Sequence, residues 1–144
     1  MKTTEPPVIV EQTFNTPIQK VWNALTVLDE MVQWFFPNIP EYSAEIGFTT
    51  EFIVDSGERS FPHLWKVLEV IPQKKMVQEW RYEGYPGLCT VAFELQEKEG
   101  QTLLAVTSTV LEDFPDNIPE FRRDSCLAGW QYFIQQNLKQ YLDG

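Results

Sequence analysis

Histidine is nearly missing from this chain and cysteine is scarce: His63 is the one histidine, and Cys89 and Cys126 are the two cysteines. Zinc sites are built from clusters of Cys and His, so no metal is expected. A Ser-His-Asp or Cys-His nucleophile would have to recruit His63, which sits in a strand-like run beside no nucleophile motif. The cysteines lack CxxC spacing and are expected as reduced, partly buried thiols. Basic runs stop at the pairs Lys74-Lys75 and Arg122-Arg123. With Asp+Glu 21 against Lys+Arg 11, the net charge of -10 repels phosphate backbones. No nucleic-acid partner is expected. Neither GxGxxG nor GxxxxGK occurs, which removes the two common phosphate cradles, and no cofactor is expected. No apolar run approaches the roughly 18 residues of a membrane span. Met1 to Pro7 holds no apolar signal core. Together these predict cytoplasmic localisation.

What is present is apolar and aromatic. Hydrophobic residues make up 43% and aromatics 14%, with Phe 10, Trp 5 and Tyr 5. A chain of 144 residues with that content is expected to fold as one domain, residues 1–144, around a core of large flat rings. Pro7 to Phe14 reads as a first strand. Thr16-Pro17-Ile18-Gln19 has the form of a helix start, with Thr16 as cap, Pro17 in the first helical position and Gln19 completing a capping box. The stripe Ile18, Val21, Trp22, Leu25, Leu28 follows at helical spacing. A second short helix is expected from Asp29 to about Phe35, stopped by Phe36-Pro37.

From Tyr42 to Leu111 the period changes to two. Runs at Phe48–Val54, Phe61–Val67, Met76–Tyr82, Leu88–Leu95 and Leu103–Leu111 read as strands. The segments between them are turn chemistry, such as Ser56-Gly57, Pro86-Gly87 and Glu99-Gly100. Short connections make an antiparallel meander. The last segment, Ile118 to Leu142, reads as one long helix capped by Asn117, with Leu127, Trp130, Ile134, Leu138 and Tyr141 along one face. The expected class is α+β: a curved antiparallel sheet of about six strands wrapped around a long C-terminal helix, with two short helices after the first strand. A twisted sheet is wider on its concave side than one helix can fill, so a cavity is expected between them.

The stretch Thr16-Pro-Ile-Gln-Lys-Val-Trp22-Asn-Ala-Leu-Thr26, then Asp29-Glu-Met-Val-Gln-Trp34-Phe-Phe-Pro37, resembles the family of activators of the ninety-kilodalton heat-shock chaperone ATPase. Val67-Leu-Glu69-Val-Ile-Pro72 with Trp80, and Gly129-Trp130 with Leu138 and Tyr141-Leu142, are similar to that family's later motifs. The resemblance spans essentially the whole chain. It implies the START-like, or SRPBCC, superfamily and its helix-grip fold. Members of that superfamily bind lipids, sterols, polyketides or plant hormones, some act as cyclases, and the eukaryotic namesake stimulates the chaperone.

Candidate ligand-lining residues are Trp34, Phe35, Phe36, Trp65, Trp80, Tyr82, Phe93 and Phe133, with Trp22 and Trp130 assigned to the core. Trp34 to Pro37 either closes over the pocket mouth or folds back into the core. Alternation sets Glu79, Arg81 and Glu83 opposite Trp80 and Tyr82, on a solvated outer face. The opposite register would turn Glu79 and Arg81 inward and make them, with His63, polar cavity groups. No catalytic residue is assigned. Three readings stay open: a binder of a small hydrophobic molecule (lipid, sterol or polyketide-like), a cyclase or hydratase using the same cavity, and a module that contacts a chaperone. Either a monomer or a weak dimer is compatible with the pattern.

Overall fold

Apolar and polar residues alternate through the middle of the chain, and the backbone follows that alternation. The computed structural model describes residues 1–144. Strand β1 (Val8–Phe14) leads into α1 (Ile18–Thr26) and α2 (Leu28–Trp34). Five strands follow: β2 (Thr49–Ser56), β3 (Arg59–Ile71), β4 (Lys75–Tyr82), β5 (Leu88–Lys98) and β6 (Gln101–Glu112). All six form one antiparallel sheet in the order β1-β6-β5-β4-β3-β2. The register shifts at Val67/Glu69 and at Leu88/Cys89. Such bulges add bend and twist, and curve the sheet. This is the helix-grip architecture. No helix is long and apolar enough to cross a membrane.

The inner face is set by period two. Phe61, His63, Trp65 and Val67 on β3 are buried, as are Met76, Gln78 and Trp80 on β4 and Cys89, Val91, Phe93 and Leu95 on β5. Turn positions obey steric rules. Gly87 has φ +120, and a Cβ there would run into the ring of Phe114, so only glycine fits.

The C-terminal helix departs from the expected form. Pro119–Phe121 makes a separate 3-10 turn, Arg122 is extended (φ -82, ψ 153), and the helix begins at Arg123 rather than Ile118. Asn117 is not its cap. The break lets Phe121 bury to 3% exposure among Phe61, Tyr82, Tyr85 and Phe114, at centroid distances of 5.1 to 5.3 Å. Burying a phenylalanine contributes about 2–3 kcal/mol, more than the roughly 1 kcal/mol of a net backbone hydrogen bond forgone at the break.

From there α3 (Arg123–Trp130) runs into a π-helical segment (Gln131–Leu138) and then α4 (Lys139–Asp143) without interruption. The wider turn of a π-helix places residues four apart nearly above one another. Trp130, Ile134 and Leu138 therefore form the buried row, while Leu127 and Tyr141 rotate outward to 37% and 40% exposure. Thr16 does not cap α1, since Pro17 takes the N-cap position. The Thr16 hydroxyl donates instead to Asp143 at 2.6 Å, and Asn15 N–H donates to the same carboxylate at 2.9 Å. These bonds fasten the end of the long helix to the β1–α1 junction.

Candidate functional site

Between the sheet and the first turns of the C-terminal helix lies a cavity of ≈ 260 Å³. Its helix side is made of small groups: Ser125, Cys126 and Gly129 face it, and a Cβ built on Gly129 would meet nothing within 4 Å. Opposite, β5 and β6 contribute Cys89, Val91 and Ser108. Small side chains on both layers leave space that neither can fill. The walls at either end are aromatic. Phe36, Trp80, Trp130 and Phe133 close one end, and Phe61, Tyr82 and Phe121 the other. Larger depressions of ≈ 810 and ≈ 580 Å³ exist, but they are open troughs lined mainly by charged and polar residues such as Glu94, Gln96 and Glu97, or Glu51, Lys66 and Glu79. The space lined mostly by apolar side chains lies under the helix.

Residues 15–143 match the family model described as Activator of Hsp90 ATPase homolog 1-like protein. The chain belongs to this family. No protein of curated function matches it in sequence. Several solved structures of this activator-like fold superpose on it. The Aha1 dimer from Colwellia psychrerythraea is 21% identical, with a TM-score of 0.73 over 96% of this chain and 97% of that one. A protein from Chromobacterium violaceum is 19% identical, with a TM-score of 0.78 over 96% and 97% of the two chains. DynU16, from the dynemicin biosynthetic locus, is 25% identical with a TM-score of 0.74, and 96% of this chain covers 47% of it. The chain thus spans about half the length of DynU16.

On this activator-like scaffold the structure separates the candidate residues into two groups. Phe36, His63, Trp80, Tyr82 and Phe133 stand on the cavity wall. Trp34, Phe35, Trp65 and Phe93 do not. Phe35 stacks on Trp34 at 4.7 Å and lies 5.5 Å from Trp65 and 4.9 Å from Phe133. Trp34 Nε1 donates to the Ala24 carbonyl at 2.8 Å, and Phe93 meets Trp130 edge-on at 5.9 Å. These rings fill one another's space, so they are core. The Trp34–Phe36 segment accordingly folds inward and does not cover the mouth.

Glu79 and Arg81 lie on the outer face. Arg81 pairs with Glu79 at 3.4 Å and with Glu112 at 3.3 Å, as the period of β4 requires once Trp80 points inward. Only His63 of the three proposed polar groups reaches the cavity. Trp130, expected in the core, lines it. So do Cys89, Ser108, Phe121, Cys126 and Gly129, which the sequence reading passed over. Their signal was the run of small residues Ser125, Cys126 and Gly129 at helical spacing beside Trp130.

The histidine and the two thiols on the wall are held neutral. Burial lowers the His63 imidazole to about 4, the Phe61 carbonyl working weakly against it. Burial raises the Cys89 thiol to about 12 and also raises Cys126, and Ser108 lies beside both thiols. Thiols held protonated are poor nucleophiles and poor metal ligands. Glu120, the one carboxylate on the lining, accepts from the Ser56 hydroxyl at 2.9 Å and pairs with Arg59 at 3.4 Å.

Proposed function

We propose that this chain binds a small hydrophobic molecule in the cavity between the sheet and the C-terminal helix. The observation that carries the reading is the opposition of small side chains, Ser125, Cys126 and Gly129 against Cys89, Val91 and Ser108, between walls of aromatic rings. A void that served only packing would cost stability, whereas an apolar ligand would recover the lost contacts. Its size lies just under the roughly 300–1,000 Å³ of ordinary ligand pockets, which suits one or two rings better than a sterol or a long lipid. The similarity to a protein of the dynemicin biosynthetic locus supports a small-molecule role. The lining residues assigned to the ligand are Phe36, His63, Trp80, Tyr82, Trp130 and Phe133.

A cyclase or hydratase in the same cavity would need an ionisable group poised near neutrality. The buried His63 and the protonated thiols do not supply one, so binding without chemistry is the better reading. The family description favours a second function, stimulation of an Hsp90-type ATPase through the outer surface. Saturable binding of a neutral naphthylamine probe tests the first reading. Gly129→Leu, which fills the space, is expected to weaken binding at least about tenfold, the worth of one well-packed side chain's contacts. Full probe affinity in Gly129→Leu would remove the cavity from consideration. An ATPase assay with the purified chaperone addresses the second reading.

A further inference from the structure

Two residues of the cavity lining, His63 and Tyr82, carry polar atoms without partners in the chain. Strand register sets His63 directly opposite Tyr82, and their rings meet edge to face at 4.7 Å. His63 Nδ1 lies 2.8 Å from the Phe61 carbonyl oxygen. A carbonyl only accepts, so Nδ1 carries the proton and Nε2 presents a bare lone pair. The ring is fixed in place by Phe52, stacked at 5.2 Å, and by Trp80, edge-on at 5.7 Å. Neither Nε2 nor the Tyr82 hydroxyl has a hydrogen-bond partner in the chain, and neither is sealed off. The side-chain polar atoms both fully buried and unpartnered are Thr50 Oγ1 and Trp65 Nε1. The lining thus carries an unpaired acceptor and an unpaired hydroxyl on two rings in contact.

The two ionised groups on the lining, the Glu120 carboxylate and the Met1 ammonium, are both engaged within the chain. The Glu120 carboxylate is engaged by Ser56 and Arg59, and the Met1 amino group donates to the Phe121 carbonyl at 2.6 Å. A charged ligand would lose its hydration and meet only charges already bonded within the chain.

Building on the binding reading above, we infer that the cavity selects a small uncharged aromatic alcohol, of the phenol or naphthol class, whose hydroxyl donates to His63 Nε2 and accepts from Tyr82 Oη. The flat body of such a ligand matches the rings of Phe36, Trp80 and Phe133, and its hydroxyl meets the unpaired polar atoms of His63 and Tyr82. A site built to hydrogen-bond a hydroxyl rejects the analogue lacking it, because its own polar atoms are then left unpaired. Burial keeps the imidazole neutral through the physiological range, so the acceptor is always available.

Equilibrium dialysis of the full chain against naphthalene, β-naphthol and the methyl ether of β-naphthol tests the assignment. β-Naphthol is expected to bind about tenfold tighter than its methyl ether, which accepts from Tyr82 but cannot donate to His63, the worth of one net hydrogen bond, and tighter still than naphthalene. The preference over the methyl ether is expected to vanish in His63→Phe, and the preference over naphthalene to shrink in Tyr82→Phe. As His63 is the one histidine, its Nε2 nitrogen NMR resonance gives a readout in the unaltered chain. It should move on addition of β-naphthol and stay in place with naphthalene. Equal affinity for all three compounds, or an Nε2 resonance unmoved by bound β-naphthol, overturns the hydroxyl assignment and leaves the cavity reading standing. Failure of all three to bind overturns both.

Discussion

Under one C-terminal helix, the half beneath Ile134 and Leu138 is solid and the half beneath Cys126 and Gly129 is open. The solid half has a third contributor. Helices α1 and α2 deliver Leu25, Met31, Trp34 and Phe35, each nearly inaccessible to solvent, and Asn137 Nδ2 ties the helix to the Trp34 carbonyl at 3.2 Å. The open half receives only Phe36 from that side, and the sheet and the helix present small side chains to each other there. The halves also treat polar atoms differently. In the solid half Thr50 Oγ1 and Trp65 Nε1, on residues paired across β2 and β3, are sealed without partners. In the open half the His63 and Tyr82 atoms look onto space that water or a ligand can occupy. Close packing thus strands polar atoms where it is complete, and leaves them usable where it is not.

Three tests, using four substitutions, sharpen this contrast. Trp34→Ala in the solid half is expected to destabilise by about 4 kcal/mol, whereas Cys126→Ala beside the existing space should cost less than about 1 kcal/mol, both read from urea unfolding. Comparable losses would mean the two halves are equally packed. Acid unfolding tests the open half. The folded His63 imidazole sits near 4 against an ordinary 6.5, so between those values the unfolded chain takes up a proton that the folded chain refuses. Stability therefore falls as pH drops through that window and this loss levels off below it, by roughly 3 kcal/mol in all. The same pH scan of His63→Phe should lack this component; an unchanged slope would show that the ring is not held neutral. The smallest effect returns to the solid half. Thr50→Val replaces an unpartnered buried hydroxyl with a methyl of similar size and is expected to raise stability by about 1 kcal/mol in the same urea assay.

The strands and the family were legible because both are written in local patterns. Period two from Phe48 to Leu111 maps onto β2 to β6 with ends displaced by only a few residues, and the inward set Phe61, His63, Trp65, Val67 is the buried set. Alternation sets Glu79 and Arg81 on the face opposite Trp80, where they pair with each other. It could not say whether an inward ring meets another ring or empty space. Trp65 meets Trp80 at 4.9 Å and Phe35 at 5.5 Å, while Trp130 borders a gap left by Gly129 and Cys126. That distinction depends on the opposing layer, which no single segment records. The helix starts failed for a related reason. Thr16 and Asn117 are good local caps, yet distant partners, Asp143 for Thr16 and the aromatic nest of Phe121 for the segment after Asn117, determined the backbone there.

Gly87 lines no cavity, yet it governs one. Its bare backbone lets the Phe114 ring sit against the turn before β5, and Phe114 in turn supports Phe121 at 5.2 Å, the ring that forms the far wall. Adding a single methyl group there would push the Phe114 ring outward and shift that wall. The volume offered to a guest is therefore controlled by a hydrogen atom two residues deep in the scaffold, at a position no screen of lining residues would test.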